Sequence, residues 1–187
     1  MTFLFMLFTE SKPNNLDFVE FTNIIKGYMQ FLNFPHGYLW LDLSKNGLRS
    51  ISFNPKKRKG LAKLMTPEKR KVLKQLRRYF CKRKINFKVK IDWQSFPDFT
   101  RRVLEETKRI HYGEVCSYDE IAKRMGKKSS ARAVGQALAR NPIPIVIPCH
   151  RVIKKDGSLG GFAWGLKWKK KLLELEGREI VEGKVKQ

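Results

Sequence analysis

Residues 117–140 read SYDEIAKRMGKKSSARAVGQALAR, and this pattern predicts two short helices joined by a basic turn. Ser117 and Glu120 have the spacing of a capping box that starts the first helix, and Gly126 is a natural helix end. Ser130 is placed to cap a second helix that extends to the end of this stretch. Two short helices with this connection indicate a helix-turn-helix.

The second helix carries small side chains where a reader of the major groove normally carries long polar ones. The small residues are Ala131, Ala133, Gly135, Ala137 and Ala139. Such a slim surface suits a close approach to a DNA backbone or a narrow groove, and Arg132 beside it could occupy the space of a displaced base. The pattern alone favours the plainer alternative, in which the alanines pack against the first helix and Arg132 contacts phosphate.

A cysteine follows in residues 141–152, which read NPIPIVIPCHRV. The prolines exclude a helix, so we predict an extended, stiff and mostly apolar segment that places Cys149. Neighbours in an extended chain point to opposite sides, so direct contact between His150 and the thiol is not assured, and a bridging water could carry the proton instead. Only the thiolate attacks, which makes His150 a candidate base. The alternative is an inert buried thiol, the commoner state of a lone cysteine in an apolar run.

Glu176 is the candidate that orients this histidine. Trp168, Leu172 and Leu175 predict one apolar face of a helix that ends at Gly177. In the last turn of that helix the dipole disfavours an acid by about 0.3–1 kcal/mol, so the carboxylate needs a partner.

The first half of the chain has the pattern of an α/β unit. A β-hairpin is predicted over residues 37–53 with Asn46-Gly47 at its turn, and Thr66-Pro67-Glu68 starts a helix. The apolar face of that helix is Val72, Leu76 and Phe80. Alternation then predicts a half-buried strand through Ile85, Phe87, Val89 and Ile91. A further helix is a possible reading of residues 16–32.

Strand signals mostly stop after residue 91, and the next segment predicts a helix. Its apolar face is Phe99, Val103, Leu104 and Thr107. We therefore predict an N-terminal α/β domain over residues 1–92 and a mostly helical C-terminal domain over residues 93–187.

The charge balance indicates a polyanionic partner. The chain of 187 residues has 40 Lys and Arg against 17 Asp and Glu, a net charge of +23. Nucleic acid is the leading candidate and an anionic membrane surface the second. A charge-rich thermophilic surface explains only part of the excess, because it would raise Glu together with Lys. We expect the basic stretch 56–90 mainly to raise the general potential.

Cysteine usage and the start of the chain predict a cytoplasmic protein. Cys81, Cys116 and Cys149 share no CxxC spacing, which excludes a disulfide framework or a zinc finger and fits a reducing compartment. Residues 1–8 are apolar but lack the features of a signal peptide, and no stretch approaches the ~20 apolar residues of a membrane span.

The motif Pro148-Cys149-His150-Arg151-Val152 resembles the active-site signature of the methylated-DNA–protein-cysteine methyltransferases, also called O6-alkylguanine-DNA alkyltransferases. It lies at the family's spacing from residues 131–135, Asn141-Pro142 and Glu176-Gly177. Gly113-Glu114 and Ser117-Tyr118 match as well. The resemblance covers residues 99–177 well and the first half loosely.

The resemblance implies an α+β fold, with an RNase H-like N-terminal domain that holds a small antiparallel sheet and a winged-helix-like C-terminal domain. It implies DNA repair by direct, irreversible and single-turnover transfer of the alkyl group from O6-alkylguanine, and from O4-alkylthymine, to Cys149. The implied partner of a monomeric protein is double-stranded DNA bound through the minor groove with the damaged base flipped out. No cofactor is implied, and no metal, because the cysteines of the zinc site found in some relatives are missing here.

The resemblance also assigns roles to residues. Cys149 is the alkyl acceptor, His150 its base through water, Glu176 the group that orients His150, and Asn141 a hinge beside the active-site strand. Arg132 replaces the flipped nucleotide. The DNA-binding residues are Arg132, Tyr118, Ser117, Ala131, Ala133, Gly135 and Arg151.

The implied substrate pocket is bordered by Tyr118 and Val152 and closed by a loop that departs from the family. Phe162, Ala163 and Trp164 stand where many relatives have Tyr, Ser and Gly. The loop loses two hydroxyls and gains bulk, which leaves open how bulky an adduct fits.

Three other classes compete with this assignment. A lesion-binding relative without the acceptor is disfavoured by Cys149, and a Cys–His–Glu hydrolase by the lack of an obvious oxyanion loop. A helix-turn-helix regulator is disfavoured because no regulatory domain is predicted in these residues. Such a regulator needs one operator sequence, whereas a repair protein binds any duplex with a steep salt dependence.

Overall fold

The computed structural model describes residues 38–54, 66–127 and 130–186. Strands β1 (Tyr38–Ser44) and β2 (Gly47–Asn54) pair antiparallel with a bulge after Asp42, which confirms the predicted hairpin. The two-residue turn is Lys45-Asn46, one residue earlier than predicted. Gly47 instead opens β2 with a φ of 140°, because its backbone lies directly against Lys90.

Helix α1 (Pro67–Phe80) begins as the sequence predicts. The Thr66 hydroxyl accepts a hydrogen bond from the backbone N–H of Lys69 at 3.3 Å, and Pro67 occupies the first turn. The inward face holds the three predicted residues and also Tyr79, which is fully buried. The opposite face is exposed and basic.

The predicted half-buried strand through residues 85–91 is not a regular strand within the described part of the chain. The side chains alternate in burial as expected, and among the described residues this segment bridges another strand where Ile91 pairs with Leu48. Gln75 of α1 occupies both polar groups of the Lys88 backbone, accepting from its N–H at 2.6 Å and donating to its carbonyl at 3.3 Å. The segment is therefore tied to a helix side chain. The helix considered for residues 16–32 lies outside the described residues.

The helical half follows with α2 (Asp98–Lys108), α3 (Tyr118–Arg124) and α4 (Ala131–Ala139). Helix α2 buries Thr100 in place of the predicted Phe99, which is 36% exposed. The capping box at the start of α3 is confirmed. Ser130 is the N-cap residue of α4, although its side chain caps no backbone group among the described residues.

Short strands fix the helix-turn-helix to the segment that holds the cysteine. Strand β3 (Cys116–Ser117) pairs parallel with β4 (Val152–Ile153). Helix α5 (Leu166–Leu175) and a hairpin of β5 (Ile180–Val181) and β6 (Lys184–Val185) complete the fold. None of the helices in the described residues is long and apolar enough to cross a membrane.

One cluster of buried side chains runs through both halves of the chain. It includes Leu48 of β2 and Leu76 of α1 together with Leu104 of α2 and Ile147 near the cysteine. The N–H of Ile51 also donates to the carbonyl of Pro142 at 2.7 Å. The architecture is therefore mixed helix and small sheet, as predicted, and the division at residue 92 stays a prediction.

Gly47 supplies a test of this packing. A Cβ on Gly47 would lie 2.5 Å from the Lys90 carbonyl oxygen, so Gly47→Ala should lower the free energy of unfolding in urea denaturation. The control is Gly183→Ala, where φ is 76° and nothing lies within 4 Å. The control should lose about 1–2 kcal/mol from backbone strain alone, and Gly47→Ala should lose clearly more. Equal losses would contradict the close approach.

Candidate active site

Residues 141–147 fold as a tight turn, and the prediction of an extended segment is wrong. The N–H of Ile147 donates to the carbonyl of Ile143 at 2.9 Å, and Ile145 has a φ of 72°. The Asn141 side chain holds the turn, accepting from Ile143 N–H and donating to the Ile147 carbonyl, both at 3.0 Å. Proline constrains φ and removes a donor, so it excludes a helix but is equally compatible with a turn.

Cys149 begins a 3₁₀ turn (Cys149–Arg151) directly after this segment. The Asn141 amide also donates to its Sγ at 3.0 Å. Burial raises the pKa of the Cys149 thiol, while the Asn141 hydrogen bond and the charge of Lys169 lower it in part. The resting group is therefore a thiol that already has a donor in place for the thiolate.

Glu176, the C-cap of α5, is the centre of a buried polar cluster. Its Oε1 accepts from His150 Nε2 at 2.7 Å, Arg151 Nη2 at 2.9 Å and the Tyr79 hydroxyl at 2.6 Å. Its Oε2 accepts from Arg151 Nε at 2.8 Å and Gly113 N–H at 3.1 Å. Burial by itself raises the pKa of Glu176, but the hydrogen bonds from His150 and Arg151 and the charge of Arg151 outweigh it and lower the pKa to about 2.

His150 is fully buried, and burial lowers its pKa despite the adjacent Glu176. Because an ionised carboxylate only accepts hydrogen bonds, Nε2 carries the proton of the neutral ring. Nδ1 is then an acceptor, and it makes no hydrogen bond with the described residues. The prediction that Glu176 lies against His150 agrees with this geometry. His150 is therefore a neutral base whose Nδ1 is available to accept a proton.

A cavity of about 690 Å³ lies next to Cys149 and α4. Seven of the predicted site residues line it: Tyr118, Ala131, Arg132, Gly135, Cys149, Phe162 and Ala163. Arg132 is exposed at its rim, and Gly135 faces the Tyr118 ring. The structure thus brings the small-residue helix, the cysteine and the loop after Gly161 to one place.

Other predicted residues lie elsewhere. Arg151 is 5% exposed and holds Glu176 and the Ile110 carbonyl, a position that DNA cannot reach. Ser117 caps α3, and Val152 is buried in β4. Ala133 is half-buried on α4 outside the cavity lining, and Trp164 lines a second, smaller cavity beside Asn141.

Sequence reasoning missed Lys169 and the placement of Tyr79. Lys169 is fully buried, and its Nζ donates to the carbonyls of Val152 at 2.5 Å and Gly161 at 3.3 Å. Burial lowers its pKa to about 8. The sequence offered one indication of this burial, because Lys169 lies three residues before Leu172 and so shares the apolar face of α5. The neighbouring lysines obscured that indication.

The described residues contain no group of three or more His, Cys, Asp or Glu side chains placed to hold a metal ion.

The buried carboxylate predicts acid sensitivity. Because the pKa of Glu176 falls from 4.5 to about 2 on folding, its contribution is fully present above pH 4.5 and is lost as the pH falls towards 2. The loss should be on the order of 3 kcal/mol in urea denaturation across this range. Glu176→Gln should flatten the dependence, whereas Glu174→Gln, on the exposed side of the same helix, should keep it. A full acid dependence in Glu176→Gln would contradict this assignment.

Comparisons with known proteins identify relatives of this chain. Residues 98–178 match the family model of the 6-O-methylguanine DNA methyltransferase DNA-binding domain. A Methanosarcina acetivorans methylated-DNA–protein-cysteine methyltransferase is 38% identical over 158 residues, which cover 80% of this chain and 98% of that protein. The Methanocaldococcus vulcanius protein of the same name is 49% identical over 87 residues, 46% of this chain. The matched part spans about half, 52%, of that relative's length.

A solved structure is similar over most of the chain. The crystal structure of Mycobacterium tuberculosis OGT in complex with DNA is 37% identical, with a TM-score of 0.64 over 76% of this chain and 88% of that one. This similarity extends beyond the helix-turn-helix into the first half. The chain therefore belongs to the methylated-DNA–protein-cysteine methyltransferase family.

Proposed function

We propose that this protein repairs DNA by moving the alkyl group of O6-alkylguanine onto Cys149. The observation that carries the proposal is the position of Cys149. Cys149 lines a cavity beside α4. The next residue, His150, is a neutral histidine whose Nε2 donates to the buried Glu176 carboxylate. The names of the relatives and the DNA-bound state of the M. tuberculosis structure support it.

Activation of the thiol uses the free nitrogen of His150. A water that bridges Sγ and Nδ1 passes the thiol proton to the imidazole. The Glu176 carboxylate stabilises the imidazolium that forms, and the Asn141 amide and the Lys169 charge stabilise the thiolate. Because its pKa is raised, the Cys149 thiol stays protonated until bound substrate completes the set of groups around it.

The thiolate then attacks the alkyl carbon in one displacement. The S–C bond forms as the C–O6 bond breaks, and the electron pair of that bond goes to the guanine. The guanine takes up one proton, which balances the one lost by the thiol. A thioether is not hydrolysed under ordinary conditions, so each molecule acts once.

The DNA reaches the cysteine through base flipping. The O6 atom lies inside the stack, and extruding the nucleotide costs a few kcal/mol. The slim face of α4, with Ala131, Ala133 and Gly135, suits a minor groove about 6 Å wide. Arg132 at the cavity rim fills the gap, and Tyr118 directs the flipped base into the cavity.

The exposed basic side of α1 strengthens binding without reading sequence. Arg70, Lys74 and Arg78 are exposed there at a spacing of four residues, and none of them has an ion pair in the described part of the chain. Their charge raises the local concentration of duplex DNA and makes binding salt-dependent. A monomer suffices for this search and for the reaction, which needs no cofactor.

The pocket wall sets which adducts fit. Phe162 packs edge-on against both the His150 ring and the Trp164 ring, so the wall near the cysteine is apolar. An apolar wall suits contact with the alkyl group of the lesion, and O4-alkylthymine presents the same alkyl-oxygen chemistry on a smaller base.

The first test is intact mass after incubation with a duplex that carries one O6-methylguanine. The protein should gain the mass of one CH2, and peptide mapping should place it on Cys149. Cys149→Ser should gain nothing, while Cys81 and Cys116 stay unmodified in the wild type. Tight lesion binding without added mass would instead assign the chain to the lesion-binding relatives.

Base flipping predicts a loss specific to duplex DNA in Arg132→Ala. The single-turnover rate should fall at least about tenfold on duplex substrate, because the unstacking cost of a few kcal/mol is no longer offset. The rate on the same lesion in a single strand should change little. Arg140→Ala, which removes another exposed arginine just after α4, is the control. Equal losses on both substrates would assign Arg132 to phosphate contact.

A further inference from the structure

The first half of the chain supplies a group to the reactive centre. Tyr79 lies on α1, outside the residues 98–178 that match the family model. Its hydroxyl donates to Glu176 Oε1 at 2.6 Å and lies 3.3 Å from His150 Nε2. We propose that Tyr79 is a positioning residue that sets the basicity of His150 through Glu176. This inference rests on the proposed alkyl transfer and deepens it.

The hydroxyl competes with the histidine for the same oxygen. Oε1 is shared by Tyr79, His150 Nε2 and Arg151 Nη2, whereas Oε2 is held by Arg151 Nε and Gly113. A phenol proton on Oε1 withdraws negative charge from the atom that faces the imidazole. The imidazolium is then stabilised less than by a carboxylate without this donor, so the base is kept neutral and ready.

Tyr79 holds its proton throughout. Burial raises its pKa well above the ordinary value, and the charge of Glu176 raises it further. The hydroxyl is therefore a constant donor to Glu176. The carboxylate is thereby locked in a rotamer that serves His150 and Arg151 together.

Charged and titratable groups of the described residues act on both members of this pair. His150 is influenced by Glu176 and Lys169 from the α5 region and by its neighbour Arg151. Tyr79 is influenced by Glu176, Arg151 and Tyr112. Removing the Tyr79 hydroxyl leaves all of these in place, so a change in the His150 titration reports the lost donor.

A purely structural role of Tyr79 can be tested separately from the role of its hydroxyl, because a substitution can remove the hydroxyl and keep the ring. The Tyr79 ring packs against Phe80 at 5.3 Å, Phe87 at 5.9 Å and Tyr112 at 6.0 Å between centroids. Tyr79→Phe retains these contacts. Tyr112→Phe is the matched control, since its hydroxyl donates at 2.9 Å to the carbonyl of Leu175, one residue before Glu176 but not to the carboxylate.

The experiment follows the His150 ring by NMR in histidine-labelled protein while the pH is varied, and measures the single-turnover rate over the same range. In Tyr79→Phe the pKa of His150 and the acid limb of the rate profile should both move upwards by about half a unit or more. Tyr112→Phe should match the wild type in both. An unchanged His150 titration in Tyr79→Phe, or equal shifts in the two variants, would overturn the proposal.

A second substitution keeps the test decisive if Tyr79→Phe does not fold. Incorporation of 3-fluorotyrosine at position 79 retains the hydroxyl and makes it a stronger donor, so the pKa of His150 should move downwards. No movement, or an upward one, would overturn the proposal. The NMR titration needs no substrate. If the wild type fails to transfer an alkyl group, the proposed function fails, while the titration still decides the role of Tyr79.

Discussion

A carboxylate buried at the end of α5 is the interaction on which the rest of the structure depends. Taking an ion out of water costs several kcal/mol unless charges and hydrogen bonds replace the lost solvation. Glu176 meets this requirement with donors from α1, from the loop at Gly113 and from the 3₁₀ turn after Cys149. Segments far apart in the chain are thus held at one point, and the half that precedes the helix-turn-helix takes part in the reactive centre.

The Glu176 cluster also fixes the helix-turn-helix relative to the cysteine. Arg151 binds Glu176, and the next residues form β4, whose partner β3 leads directly into α3. Helix α4 packs against α2 and α3 and borders the cavity next to Cys149. The distance between α4 and the thiol therefore depends on a short path through paired strands and packed helices. Such a path suits the proposed reaction, in which the flipped base has to reach the thiol.

The charged groups at the surface of this protein differ from those in its buried reactive centre. The outer surface carries a large excess of Lys and Arg, whereas the reactive centre holds one carboxylate, one guanidinium and a neutral imidazole. Lys169 is the exception, since its ammonium is buried and donates to two carbonyls beside the cavity. Charges at the surface act over about a Debye length, and the buried charges act on the groups that they contact.

The sequence by itself determined the features that local chemistry decides. Ser117 and Glu120 cap α3 within one turn, Thr66 and Pro67 start α1, and the alternating leucines form the hairpin. The need of Glu176 for a partner also followed from its place at a helix end. Only the tertiary structure decided the turn at Asn141, since proline restricts φ without choosing between turn and extension. It likewise decided the burial of Arg151, Lys169 and Tyr79, because the partners that make a buried polar group stable come from distant parts of the chain.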